Sequence, residues 1–202
     1  MSKSKNIERD LSPEKTEMIL DGAMQEFLEN GYAAARIDKI AVAAGVSKAT
    51  IYRRYPDKES LFTALMQQLA CKKELFNSAQ IQSAQGDPAS LLRSFANRML
   101  EHIADDPQAL TFFRIIIGES GRFPELARAF VKNIEKPMLE ALTQYLASHP
   151  ELELPDAEVT ARAFVGTLVH FVLLRDIMQS GDIVPMERDR LLDNLVKLII
   201  HK

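Results

Sequence analysis

The chain has 202 residues, 47% of them hydrophobic, with one cysteine, no tryptophan and a formal net charge of −3. That length suits one large domain or a small domain beside a larger one, with apolar residues enough for a real core. A single cysteine excludes an intrachain disulfide, and the mildly acidic balance excludes a generally basic surface, so any nucleic-acid contact must come from local charge.

Frequent Ala, Leu, Glu, Lys, Arg and Met, sparse glycine and no alternating β-branched runs predict an almost wholly helical chain. Residues 1–12 are polar and lack an apolar h-region, which predicts a disordered arm and no signal peptide. No uninterrupted apolar run approaches a membrane span. A cytoplasmic protein with no membrane partner is expected.

A first helix starts at Ser12-Pro13, with serine as cap and proline in the first turn. Ile19, Leu20, Ala23, Phe27 and Leu28 recur at helical spacing, and Asn30-Gly31 ends the segment. A short helix follows over about Ile37–Ala44, then a tight turn, Gly45-Val46-Ser47, and a second short helix over about Lys48–Tyr55. Pro56-Asp57 breaks the chain, and Asp57 caps a fourth helix that runs from Lys58 toward Phe76 or beyond. The stretch Ser78–Asp87 reads as frayed helix or linker. Pro88, Pro107 and Pro124 open apolar-periodic segments over about 88–104, 107–119 and 123–148, and Pro137 should kink or split the last of them. His149–Asp156 is a loop, and two final helices cover about 156–180 and 186–201. The count is about nine helices, all-α.

The short pair over Ile37–Arg54 has the chemistry of a DNA-reading helix-turn-helix. Ile40, Ala44, Val46 and Ile51 supply a buried face, Ala41 is small enough for a close crossing, and Gly45 suits a turn with positive φ. Ser47 caps the second helix, and Lys48, Thr50, Tyr52, Arg53 and Arg54 remain outward-facing or nearly so, as base-edge and phosphate contacts require. Between Arg36 and Lys58 there are six bases against two acids, so this window is positive in an acidic chain.

The run Ile40-Ala41-Val42-Ala43-Ala44-Gly45-Val46-Ser47-Lys48-Ala49-Thr50-Ile51-Tyr52-Arg53-Arg54-Tyr55-Pro56-Asp57-Lys58-Glu59-Ser60-Leu61-Phe62, with Gly31-Tyr32 upstream, resembles the N-terminal domain of the TetR/AcrR family. The match extends over more than 30 residues at fixed spacing. Ala35 and Arg36 stand where the family has Thr and Ser/Thr, which removes the usual cap of the first short helix; Arg36 is a candidate replacement contact. Ala49 and Tyr55 replace a common Gly and Phe. The stretch Phe112–Ala127 is similar to the C-terminal domain of AefR-like members.

The resemblance implies a DNA-binding head over 1–56, a helical effector and dimerisation body over 57–202, and a repressor released from operator DNA by a small apolar effector. It implies DNA contacts from Arg36, Ser47, Lys48, Thr50, Tyr52, Arg53, Arg54 and Lys58. It also implies a homodimer on the last two helices, through Val165, Phe171, Leu191, Leu192, Leu195 and Leu198. Phe95, Met99, His102, Phe112, Phe113, Ile116, Phe130, Met138, Phe164 and Leu168 either line an effector pocket or form a solid core, and the sequence leaves both open. His170 and Arg114 are further polar handles for a ligand.

Each residue also has a plain reading. Lys58 can be an exposed first-turn lysine, Tyr52 half-buried packing, and the arginines a solvated face. Cys71 and the histidines show no metal-ligand spacing. Gly118-Glu119-Ser120-Gly121 is one residue short of a nucleophile elbow and no strand precedes it, and there is no GxGxxG or P-loop. No enzyme, metal or cofactor is therefore expected. The alternative function is a helical small-molecule-binding protein or adaptor with a vestigial helix-turn-helix.

Overall fold

A computed structural model of the chain describes residues 12–72 and 87–200. Ten α-helices lie among them: α1 Pro13–Ala34, α2 Ile37–Ala43, α3 Lys48–Arg54, α4 Lys58–Lys72, α5 Pro88–Ile103, α6 Pro107–Glu119, α7 Pro124–Phe130, α8 Lys136–Ala147, α9 Ala157–Val172 and α10 Arg188–Ile200. A π-turn, Val131–Glu135, joins α7 to α8 without a break, so the described residues form nine helical rods. The expected arm before Ser12, the extension of α4 past Lys72 and the linker up to Gly86 lie outside the described residues.

The chain divides after Leu65 into two units, residues 1–65 and 66–202. The division falls later than the expected boundary at Pro56 because the first two turns of α4 belong to the head core. Leu61 and Phe62 are fully buried and Leu65 nearly so. Phe62 meets Phe27 and Tyr32 edge-on, at 5.1 and 5.2 Å between ring centroids. Each such side chain contributes about 1.5–3 kcal/mol by leaving water, and edge-on aromatic pairs add to that.

Local signals set the head helices. Ser12 Oγ accepts from the Lys15 amide, and Pro13 occupies the first turn. Gly31 takes φ 69° and ψ 175°, so it breaks α1 where the sequence marks a stop, with one further turn to Ala34. A positive φ there suits glycine, which lacks the Cβ that strains the left-handed region.

In the body, α9 packs on α8 and α5, and α10 on α5. Their shared core includes Leu92, Phe95, Leu100, Leu142, Phe164, Leu168 and Leu192. Asp87 and Asp106 cap α5 and α6, each accepting two backbone N–H groups, and a proline follows each cap. Arg188 ties α10 to α5 through the Asn97 carbonyl at 3.0 Å and to the turn after α5 through Asp105 at 2.8 Å.

Pro137 is where the long segment departs from α geometry. Its ring would crowd the carbonyl four residues back and it has no N–H to donate. The preceding turn widens into the π form, with the Lys136 amide bonding to the Val131 carbonyl, and the helix continues. A second π-turn, Leu173–Ile177, ends α9 earlier than the expected 180. The Met178 amide closes it on the Leu173 carbonyl at 2.8 Å, and the Ser180 amide and hydroxyl hold the Leu174 carbonyl. The segment Ala157–Ile177 is long and apolar enough to cross a membrane by length and composition, with a mean hydropathy of 1.5, although charges interrupt it. Its apolarity has another use here: Ala161, Phe164, Val165, Leu168, Phe171 and Val172 are core residues.

Candidate nucleic-acid interface and apolar cavity

The helix-turn-helix is built by close approach. At Gly22 of α1 an added Cβ would lie 3.3 Å from Ala43 Cβ, the Ala44 amide nitrogen and the Ile40 carbonyl oxygen, so glycine lets α1 seat directly on α2. Ala41, the expected crossing residue, is buried as well. Gly45 turns the chain with φ 63°, and the Val46 amide bonds back to the Ala41 carbonyl at 3.0 Å. Ser47 Oγ accepts from the Thr50 amide at 3.1 Å and shares a hydrogen bond with Thr50 Oγ1 at 2.9 Å, closing the first turn of α3.

On α3 only Ile51 is buried, so most of this short helix is presented outward. Lys48, Ala49, Tyr52, Arg53 and Arg54 are exposed and Thr50 is half-exposed. Arg36 and Lys39 add exposed cations on and beside α2. Asp38 pairs with Arg36 at 2.7 Å and lies 3.8 Å from Lys48. The Arg36 hydrogen bond holds the Asp38 carboxyl below the usual range. Asp38 therefore pre-orients two cations of this face while screening part of their charge.

As the sequence suggests, Arg36 gives α2 no side-chain cap. The cap comes from elsewhere: buried Glu26 of α1 accepts the Arg36 amide at 3.0 Å. Ten residues separate the two, so no local motif marks the pair.

Lys58 does not sit as a free phosphate ligand. Its Nζ donates to the carbonyls of Tyr32 at 2.6 Å, Ala33 at 3.1 Å and Ala35 at 3.1 Å, and lies 4.7 Å from the Tyr32 ring centroid. An ammonium has three donors, and here all three close the end of α1. The cation also complements the partial negative charge of a helix C-terminus. A phosphate contact would have to displace one of these bonds.

The body unit contains an apolar cavity of about 360 Å³. Seven of the expected residues line it: Met99, His102, Phe112, Phe113, Ile116, Phe130 and Met138. Phe95, Phe164 and Leu168 do not; they are buried in the core behind it, Phe95 against Phe164 with centroids 6.1 Å apart. Met66, Ile103, Ala109, Val131, Ile134, Glu135 and Val169 complete the lining. The apolar stripe Val131, Ile134 and Met138 could have signalled the aliphatic part, but attention to Phe and Met passes over it. Burial raises the Glu135 carboxyl above its ordinary range, with Arg162 opposing. His170 lines a separate groove with Ile183 and Leu191, and Arg114 bonds the Asp176 carbonyl, so neither serves this cavity.

The expected dimer residues divide. Val165, Phe171, Leu192 and Leu195 belong to the chain's own core, at 0–8% exposure, and offer no surface to a partner. Leu191 is half-buried, whereas Leu198 is 79% exposed. The helical stripe is real, but its inner edge faces α5 and its neighbours.

Two family models match the chain: that of the bacterial regulatory proteins of the tetR family over residues 19–65, and that of the AefR-like transcriptional repressor C-terminal domain over residues 90–201. The HTH-type transcriptional regulator YvkB of Bacillus subtilis is 25% identical over 189 residues, covering 90% of this chain and 93% of YvkB. The flavonoid-responsive regulator FrrA superposes with a TM-score of 0.63 at 28% identity, over 90% of this chain and 91% of FrrA. FadR of B. subtilis, solved in complex with stearoyl-CoA, has the same fold at 18% identity, with a TM-score of 0.68 over 91% of this chain and 97% of FadR. The chain belongs to the TetR family as a helix-turn-helix transcriptional regulator, not an enzyme, and its body is an AefR-like C-terminal domain.

Proposed function

We propose that the protein is a repressor that binds operator DNA as a homodimer and is released by a small, largely apolar effector in the body cavity. The observation that carries this reading is the cavity itself, about 360 Å³ of apolar-lined space beside the buried core of the body unit. FrrA is flavonoid-responsive and FadR was solved with stearoyl-CoA; an effector is carried over to this chain as a class only.

DNA is read by the N-terminal part of α3, through Lys48 and Thr50, with Arg36, Ser47, Tyr52, Arg53 and Arg54 as further contacts to phosphate or base. A dimer sets two such helices about 34–36 Å apart, or a multiple of that, to match successive major grooves. The outer face of α9 and α10, with exposed Val159, Gly166 and Leu198, is the dimer face in this reading. Release requires an effector that binds the weak-binding state more tightly than the other, since equal affinity shifts nothing; couplings of about 1–3 kcal/mol are usual. The lever is α4, which starts at Lys58 and supplies Met66 to the cavity.

A gel shift on the protein's own upstream DNA tests the reading. Specific binding whose log K falls steeply with log salt is expected, with loss of affinity on adding a cavity ligand. Equal affinity for all sequences, or affinity unmoved by any of a broad panel of hydrophobic compounds, overturns it.

A further inference from the structure

We propose that the body cavity selects amphiphiles with a cationic polar end, an alkylammonium or similar organic cation, seated against Glu135. The proposal rests on reading the cavity as an effector site. Of the fourteen lining residues, twelve are apolar and two are titratable, His102 and Glu135. No lysine or arginine lines it among the described residues.

The charges around Glu135 are committed elsewhere. Arg162 bonds Glu158 Oε1 at 3.0 Å through Nε and 2.7 Å through Nη2. Lys136 is exposed and pairs with Glu140 at 3.6 Å. Among the described residues the Glu135 side chain makes no hydrogen bond and no ion pair; burial raises its carboxyl, and the charge of Arg162 offsets only part of that rise.

Three ligand types face this wall differently. An anionic end would enter a low-dielectric space beside a carboxylate and meet repulsion that water no longer screens. A neutral chain would bury the carboxylate further and give it no partner, which costs free energy. A cation supplies the missing partner and offsets that desolvation, while the chain fills the space among Phe112, Phe113 and Phe130. Those ring faces also attract a cation. Selectivity then comes as much from rejecting anions as from holding cations.

The test is calorimetric titration of the full chain with three ligands of equal tail: decyltrimethylammonium, decanol and decanoate, each below its micelle concentration. The same series on Glu135→Gln, close in size and neutral, isolates the charge, and a thermal melt of the variant checks its fold. The expected order in the wild type is cation, then neutral, then anion, with at least tenfold between the ends. Glu135→Gln should shrink the cation-to-anion ratio about ten- to hundredfold, as expected for a lost charge-assisted contact. Decanoate binding as well as the cation, or a ratio unchanged in the variant, overturns the proposal and leaves the effector reading standing. Cation binding that leaves operator affinity unmoved overturns the regulatory reading and leaves the charge preference standing. Absence of binding by all three overturns the proposal, and the effector reading then stands or falls on the broader panel.

Discussion

Replacing Lys58 by Met separates two tasks that the sequence alone cannot distinguish. The side chain keeps its length and its packing over Tyr32, but loses the ammonium that closes three carbonyls at the end of α1. Hydrogen bonds to a charged donor are worth about 1.5–3 kcal/mol when measured by deletion. These carbonyls sit at a half-buried edge, where water recovers part of the loss, so a total of about 2 kcal/mol is expected. At roughly 2–4 °C per kcal/mol for a chain of this length, thermal denaturation followed by circular dichroism should show a fall of about 4–8 °C. The salt dependence of DNA binding gives the independent readout. A lost phosphate contact reduces the slope of log K against log salt by about 0.9, whereas a lost helix clasp leaves the slope alone. A slope reduced by about one with an unchanged melt would refute the reasoning and return Lys58 to the phosphate.

The same logic gives three further tests. Gly22→Val should destabilise the head by about 1–3 kcal/mol, since two of the three atoms met at 3.3 Å are backbone and cannot swing aside; chemical denaturation checks it, and a neutral result would mean that α1 and α2 can separate freely. Leu195→Asp places a charge in the core and should lower the melting temperature sharply, whereas Leu198→Asp, on a side chain 79% exposed, should leave the melt unchanged and weaken self-association in sedimentation. Glu135→Gln should raise stability at neutral pH and not in acid. The folded carboxyl titrates above its unfolded value, so below the ordinary glutamate range both states are protonated and equal; as pH rises through the folded pKa, the native state alone bears the cost of a desolvated charge. Melts of the pair at pH 4 and pH 7 check the sign.

Features written in adjacent residues were legible. The turn glycine Gly45, the caps Ser12, Ser47 and Asp57, and the prolines Pro88 and Pro107 that open α5 and α6 all act within three or four positions, and they fall where the sequence marks them. What was not legible depends on partners far along the chain. Lys58 reaches carbonyls 23 to 26 residues away, and Glu26 holds the amide of Arg36, ten residues later, at the start of α2. Helical spacing identified the apolar stripe of α10 but not its rotation, which puts Leu195 inward and Leu198 outward. The same limit applies to Phe95 and Phe113, equally apolar and both on helices. Tertiary packing alone decides that the first is core, against Phe164 of α9, and that the second lines open space beside Phe130 of α7.

That open space has an energetic meaning of its own. Empty volume in a core costs about 24 cal/mol per Å³ in leucine-deletion series, so a dry, closed void of 360 Å³ would cost about 9 kcal/mol; this space opens to solvent beside Val131, which is 50% exposed, and costs a fraction of that. Even a fraction counts against the whole stability of a typical domain, about 5–15 kcal/mol. A sequence under no demand but folding would remove most of it with a few larger side chains, for instance at Ala109 or Val169, both of which line the cavity. A glutamate in the wall adds to the cost, because partial burial disfavours its charged form and Arg162 offsets only part of that. Both features weaken the free protein, and both are offset when a ligand of matching shape and opposite charge fills the site. Sites that break the rules of good packing and good solvation at the same place are where function is expected to oppose stability. By that argument the cavity and Glu135 are one device, and a ligand that fills the first without pairing the second recovers only part of what the fold gives up.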